Sequence, residues 1–155
     1  MDAKHKKKHT VLMNGPISST FIGDAISKHS IKTNIGAHAI FLGQIRMDKK
    51  KDSLVCAIEY SAHPEMAEKA FENIREKAFE KYEMECMHIY HSIGNVKVGE
   101  ISLFVFVSCK HRIQSFLALE WIVESIKKEV PIWKKEILSD GGHNWINEEI
   151  STTNG

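Results

Sequence analysis

Apolar residues recur along this chain at two spacings, and the switches between those spacings mark out its elements. Thr10 to Met13 alternates as a short strand and ends at the turn cluster Asn14-Gly15-Pro16. Ser18 or Ser19 then caps a helix reaching about His29, with Phe21, Ile22, Ala25 and Ile26 on one side. Gly36 to Ile45 is apolar or small almost throughout, the pattern of a strand buried on both faces. Gly43 within it predicts a bulge or a close backbone approach. Met47 to Ser53 is polar and reads as a mobile loop. Leu54 to Ser61 returns to strict alternation. His63-Pro64 opens a helix whose stripe is Met66, Ala67, Ala70, Phe71, Ile74, Ala78 and Tyr82.

Met84 to Ile93 is a strand stopped at Gly94, Asn95 to Gly99 a connection, and Glu100 to Lys110 the most continuous apolar run. That run predicts a central strand. Arg112 to about Glu129 is a helix with Phe116, Leu119, Val123, Ile126 and Val130 as its inner stripe. Pro131 cannot continue the helix. Ile132 to Leu138 follows as a strand, Asp140-Gly141-Gly142 as a turn, and Trp145 is expected to pack back. The order β-α-β-β-α-β-β-α-β predicts an α+β fold, a mixed sheet with helices on it.

At 155 residues this is one domain's worth of chain, spanning about residues 10–147, with 148–155 expected to fray. No apolar run approaches the ~20 residues of a membrane helix. The basic start, 1–9, is followed by no apolar segment, so a secretory signal is not expected. Those nine residues carry four lysines and one aspartate, leaving 17 basic and 19 acidic side chains in the body. A slightly acidic body argues against a general nucleic-acid binder, and the basic start reads as a disordered tail. Cys56, Cys86 and Cys109 are odd in number and lack a C-x-x-C pair. They read as small hydrophobes in a reducing, cytoplasmic compartment. Neither a disulfide framework nor a zinc spacing is present, and no metal or cofactor is expected. His88 and His91 lie three apart in a strand, which points them to opposite faces.

The candidate chemistry is a set of cations at element ends. Arg46 follows one strand and His111-Arg112 follows another, while Lys127 and Lys134 flank the Pro131 bend. Functional groups favour such ends. Together these side chains would suit a small polyanion, Arg gripping phosphate in two places and Lys offering a movable charge. Read singly, each also fits a solvated helix end or a surface ion pair. The Lys49-Lys50-Lys51 run likewise reads as a solvated loop or a binding patch.

Five short motifs then fall in one order. Phe41-Leu42-Gly43-Gln44-Ile45-Arg46 resembles the FLGxVR segment of the large, catalytic subunit of molybdopterin synthase. Glu59-Tyr60 with Met66-Ala67, His91 to Gly94 with Val98-Gly99-Glu100, and His111-Arg112 with Phe116 are similar to the next three. Lys127 through Glu136 is similar to its KxxxPxWKxE. The chain departs from the pattern after Arg46, where Met47-Asp48-Lys49-Lys50-Lys51 replaces the usual Asn and Gly, and in its basic tail.

The resemblance implies an α/β hammerhead with an added small β subdomain. It implies a sulfurtransferase of molybdenum cofactor biosynthesis that moves two sulfurs onto cyclic pyranopterin monophosphate (precursor Z), forming the dithiolene. The donor would be a small ubiquitin-like sulfur-carrier subunit ending in a Gly-Gly thiocarboxylate, around a homodimer of large subunits in a heterotetramer. On this reading Lys127 and Lys134 are catalytic and also bind substrate with Arg46, His111 and Arg112. Phe41, Gly43, Pro131 and Trp133 would support the pocket. A non-catalytic module for a ubiquitin-like tail, or a nucleic-acid domain using the lysine clusters, are the rival readings.

Overall fold

In a computed structural model, which describes residues 11–146, three helices pack on a bent sheet. The elements are β1 (Leu12–Asn14), α1 (Ser19–Ser27), β2 (Ala37–Gln44), β3 (Lys49–Lys50), β4 (Ser53–Ala62) and α2 (Pro64–Lys81). Then come β5 (Cys86–Lys97), β6 (Ile101–Cys109), α3 (Arg112–Glu129), β7 (Ile132–Leu138) and β8 (His143–Ile146). The expected basic tail and frayed C-terminus lie outside the described residues.

The sheet order is β2-β6-β5-β4-β7-β8, with β1 added to β5 and β3 to β4. Only the β1–β5 pairing is parallel among those described, so the sheet is mixed and the fold α+β. β5 is the strand that joins the two sections. Its first half, Cys86 to His91, pairs with β6, and Gly94 to Lys97 pair with β4. Gly94 sits between these halves at φ +89°, a conformation that glycine adopts without strain. The expected end of the strand at Gly94 is therefore a bend instead. The section built from β4, β7 and β8, with the β3 hairpin on its edge, is the smaller β unit.

Two cores follow from strand alternation. Met87, Ile89, Leu103, Val105 and Val107 face α2 and α3, against Phe71, Ile74, Ala118 and Ile122. Phe104 and Phe106 face the other way, under Phe21, Ile22 and Ala25 of α1. Ser18 caps α1, its hydroxyl accepting from the Phe21 amide at 3.1 Å. β6 is central as expected, buried at every position after its first.

Several expectations change. β2 is an edge strand, so its apolar run is only partly covered and Leu42 is exposed. The bulge predicted at Gly43 is present, as a register shift between Gly43 and Gln44. The Met47–Ser53 loop contains a tight hairpin, β3 with β4, turning at Lys51 (φ 56°). On α3 the buried positions include Ser115, Ala118, Ile122 and Ile126, while Phe116 is 59% exposed. Small residues had hidden the true inner face from an apolar-only reading. Trp145 lies on β8, over half exposed, beneath the Lys135 ammonium (5.5 Å to the ring centroid). Cys56 is exposed, whereas Cys86 and Cys109 are buried.

Candidate functional site

α3 begins where β6 ends and runs back along the sheet, so its last turn arrives beside the start of β6. Val130 is already extended, φ −87° and ψ 123°, and Pro131 then directs the chain into β7. This bend makes a small pocket lined by His91, Leu103, Ile126, Lys127, Val130, Ile132 and Lys134. Lys127 and Lys134 are thus brought to one concavity. Lys127 is exposed at its rim, and Lys134 is half-buried in its wall. Its cavity volume of about 20 Å³ leaves room for little more than a water, so only a slender group extends into it.

The floor is built on β5 and β6. His91 and Leu103 are register partners, and register partners point to the same face. The His91 Nδ1–H donates to its neighbour's carbonyl, Ser92 O, at 2.8 Å. A carbonyl can only accept, so Nδ1 carries a proton and a neutral ring has its lone pair on Nε2. Tyr60 meets the His91 ring edge-on at 5.1 Å, and its hydroxyl donates to Ser102 Oγ at 3.0 Å. Tyr60 is also the register partner of Lys134. Aromatic packing thus sets the strand from which Lys134 projects. Gly43 packs from the side: a Cβ there would lie 3.3 Å from Leu103 Cβ. Phe41 packs on the main core.

The other cations stand elsewhere. Arg46 lies at the pocket's end of the sheet, since neighbouring Ile45 bonds to Glu100 and Gly99 and packs with Tyr60 and Ile132. Its side chain does not line the pocket; it is 70% exposed and pairs with Asp48 (Nε to Oδ1, 3.3 Å). Asp48 belongs to the segment where the chain departs from the family motif. His111 and Arg112 are exposed at the opposite end of α3, about 22 Å along the helix from Lys127 at 1.5 Å per residue. One chain therefore does not gather the five cations. Trp133 does not line the pocket either; it is 51% exposed, between two residues that do. His91 was the member that spacing did not single out. Its motif was visible, but its place beneath the lysines depends on β5–β6 pairing.

Residues 14–129 match the model of the family described as MoaE protein. The chain belongs to the MoaE family. Among its relatives is the molybdopterin synthase catalytic subunit of Pyrococcus abyssi, 41% identical over 74% of this chain and 76% of that one. The Bacillus subtilis catalytic subunit is 36% identical over 83% of this chain and 80% of its own length. The match to the longer Emericella nidulans subunit covers 60% of that protein. The crystal structure of molybdopterin synthase from Staphylococcus aureus superposes with a TM-score of 0.79 at 32% identity, over 91% of this chain and 98% of that one. A complex of subunits 1 and 2 of molybdopterin-converting factor from Helicobacter pylori shares the fold, with a TM-score of 0.73 at 22% identity. As a MoaE member the chain is an enzyme subunit of the molybdopterin synthase type, in molybdenum cofactor biosynthesis.

Proposed function

We propose that this chain is the large subunit of a two-component sulfurtransferase whose lysine pocket receives another protein's C-terminal thiocarboxylate. The observation that carries this reading is the meeting of Lys127 and Lys134 in one narrow pocket, in a chain of this family. A slender, anionic Gly-Gly terminus has the shape and charge for such an opening. The Helicobacter pylori complex of subunits 1 and 2 supports a small-subunit partner for this fold.

The substrate is precursor Z, and two successive tails supply the two dithiolene sulfurs. Each transfer forms a carbon–sulfur bond on the pterin and hydrolyses the acyl–sulfur bond, so the tail leaves as a carboxylate. The large subunit then needs no nucleophile of its own. Its work is to hold the ends together, offset negative charge and move protons. Lys127 is the principal acid–base or covalent-contact residue at the terminal carbonyl, assisted by Lys134.

Arg46 reaches a pterin phosphate by exchanging its Asp48 partner for it. His111 and Arg112 are too far along α3 to reach the same pocket, so they serve a second copy of the chain. That arrangement calls for a homodimer of large subunits, completed by two small subunits as a heterotetramer. The setting is cytoplasmic, a reducing compartment in which an exposed free thiol such as Cys56 persists. Among the described residues no helix is long and apolar enough to cross a membrane.

Incubation with precursor Z and thiocarboxylated small subunit tests the reading. Dithiolene product is expected. Binding of the small subunit with no product would reduce the chain to a docking module.

A further inference from the structure

On the opposite face of the sheet from the lysine pocket, three side chains converge that the proposed sulfur transfer does not use. His29 follows the end of α1, and Cys86 and His88 lie two apart on β5, hence on one face. Their donor atoms all lie within 4.8 Å of one another. His91, on the same strand, faces the other way and lines the lysine pocket. The two groupings are therefore separated by the sheet itself.

We propose that His29, Cys86 and His88 form a binding site for one zinc-class divalent cation, tying the end of α1 to β5. Two imidazoles and a thiolate are the donor set such borderline-soft ions favour. Spacing agrees: His29 Nε2 and His88 Nε2 are 3.2 Å apart, and two nitrogens bound tetrahedrally to zinc at about 2.0 Å sit about 3.3 Å apart. The outer partners agree as well. His29 Nδ1 donates to the Ala25 carbonyl at 2.8 Å, so the neutral ring keeps its lone pair on Nε2, toward His88. A backbone carbonyl holding the far nitrogen is the usual support of a ligating histidine.

Lys32 Nζ donates to Cys86 Sγ at 2.8 Å, a contact that helps to hold the sulfur in place. His29 is 7% exposed and Cys86 8%, so the site is sheltered rather than a chance surface grouping. His38 stands alongside, its ring 6.1 Å from that of His29. Three protein donors leave a fourth position for water. On binding, the Cys86 thiol gives its proton to solvent.

The test uses the full chain, stripped with a chelator and then given zinc or cobalt(II). One equivalent per chain should be retained, and cobalt should produce thiolate-to-metal charge-transfer absorption. Cys86→Ser should abolish that absorption, and Cys56→Ser should leave it. His88→Gln should weaken zinc binding at least about tenfold. Zinc should also raise the melting temperature of the wild type and not of Cys86→Ser. Because Cys86 and His29 are buried, the half-exposed His88 carries the test should their variants fail to fold. Absence of thiolate absorption, absorption that survives Cys86→Ser, or zinc affinity unchanged in His88→Gln would each overturn the site. Metal held only by His5 and His9 would give no thiolate signal and would overturn it too.

Discussion

The two ends of α3 carry the same kinds of residue and differ in everything else. At its C-terminal end, Lys127 opens onto a concavity whose floor, His91 and Leu103, is fixed by strand pairing. At its N-terminal end, His111 and Arg112 stand exposed, followed by Ile113, Phe116 and Leu117, all largely uncovered. A built pocket places charge where a small group can be surrounded. An open end with apolar neighbours places charge where another surface must bring the second half. On the proposed function, the first end is the reaction site and the second is what another copy of the chain lends to it.

The largest effect expected from this contrast is at the pocket. Lys127→Ala should lower dithiolene formation about 10²–10³-fold, the scale of losing one positioned electrostatic contact, while small-subunit affinity holds. Turnover within a few-fold of wild type would remove Lys127 from the chemistry. Next is a stability contrast within α3. Ile122, fully buried, should cost about 2–5 kcal/mol on truncation to alanine, read by denaturant unfolding.

At the other end, Arg112→Ala should weaken precursor Z about tenfold with little loss of turnover at saturation, a modest share of a charged hydrogen bond. At subsaturating precursor Z, mixing Arg112→Ala with Lys127→Ala should give more activity than the two variants assayed apart, because hybrid dimers hold one pocket with both residues intact. No gain on mixing would place both groups in one protomer's site. The smallest effect is Phe116→Ala, expected within about 0.5 kcal/mol of wild-type stability for the isolated chain. A loss as large as that of Ile122→Ala would mean that the exposed end is packed after all.

Legibility in the sequence followed the range of the interactions concerned. α3 and β7 were read to their boundaries because Arg112, Pro131 and the Asp140-Gly141-Gly142 turn are local signals. Phe116 falls on the exposed face of α3 because the inner face carries the small Ser115, Ala118 and Ser125, two of them polar, which a stripe drawn through large apolar residues passes over. Gly36 to Ile45 looked doubly buried because composition cannot tell an edge strand from a central one. The lysine pair was visible from the bend alone. His91 beneath it, and His29 beside His88, required pairings across the chain that no spacing encodes. The motif alone groups Arg46 with the lysines, whereas its side chain is exposed and pairs with Asp48, two residues on.

The most direct measurement is where the partner's terminus lands. Activating the small subunit's C-terminal carboxylate for amide formation and mapping the product by peptide mass spectrometry reads that position residue by residue. A bond to Lys127 is expected, with Lys134 as the only other acceptor. Coupling spread over Lys49, Lys50 and Lys51, with neither pocket lysine modified, would contradict it.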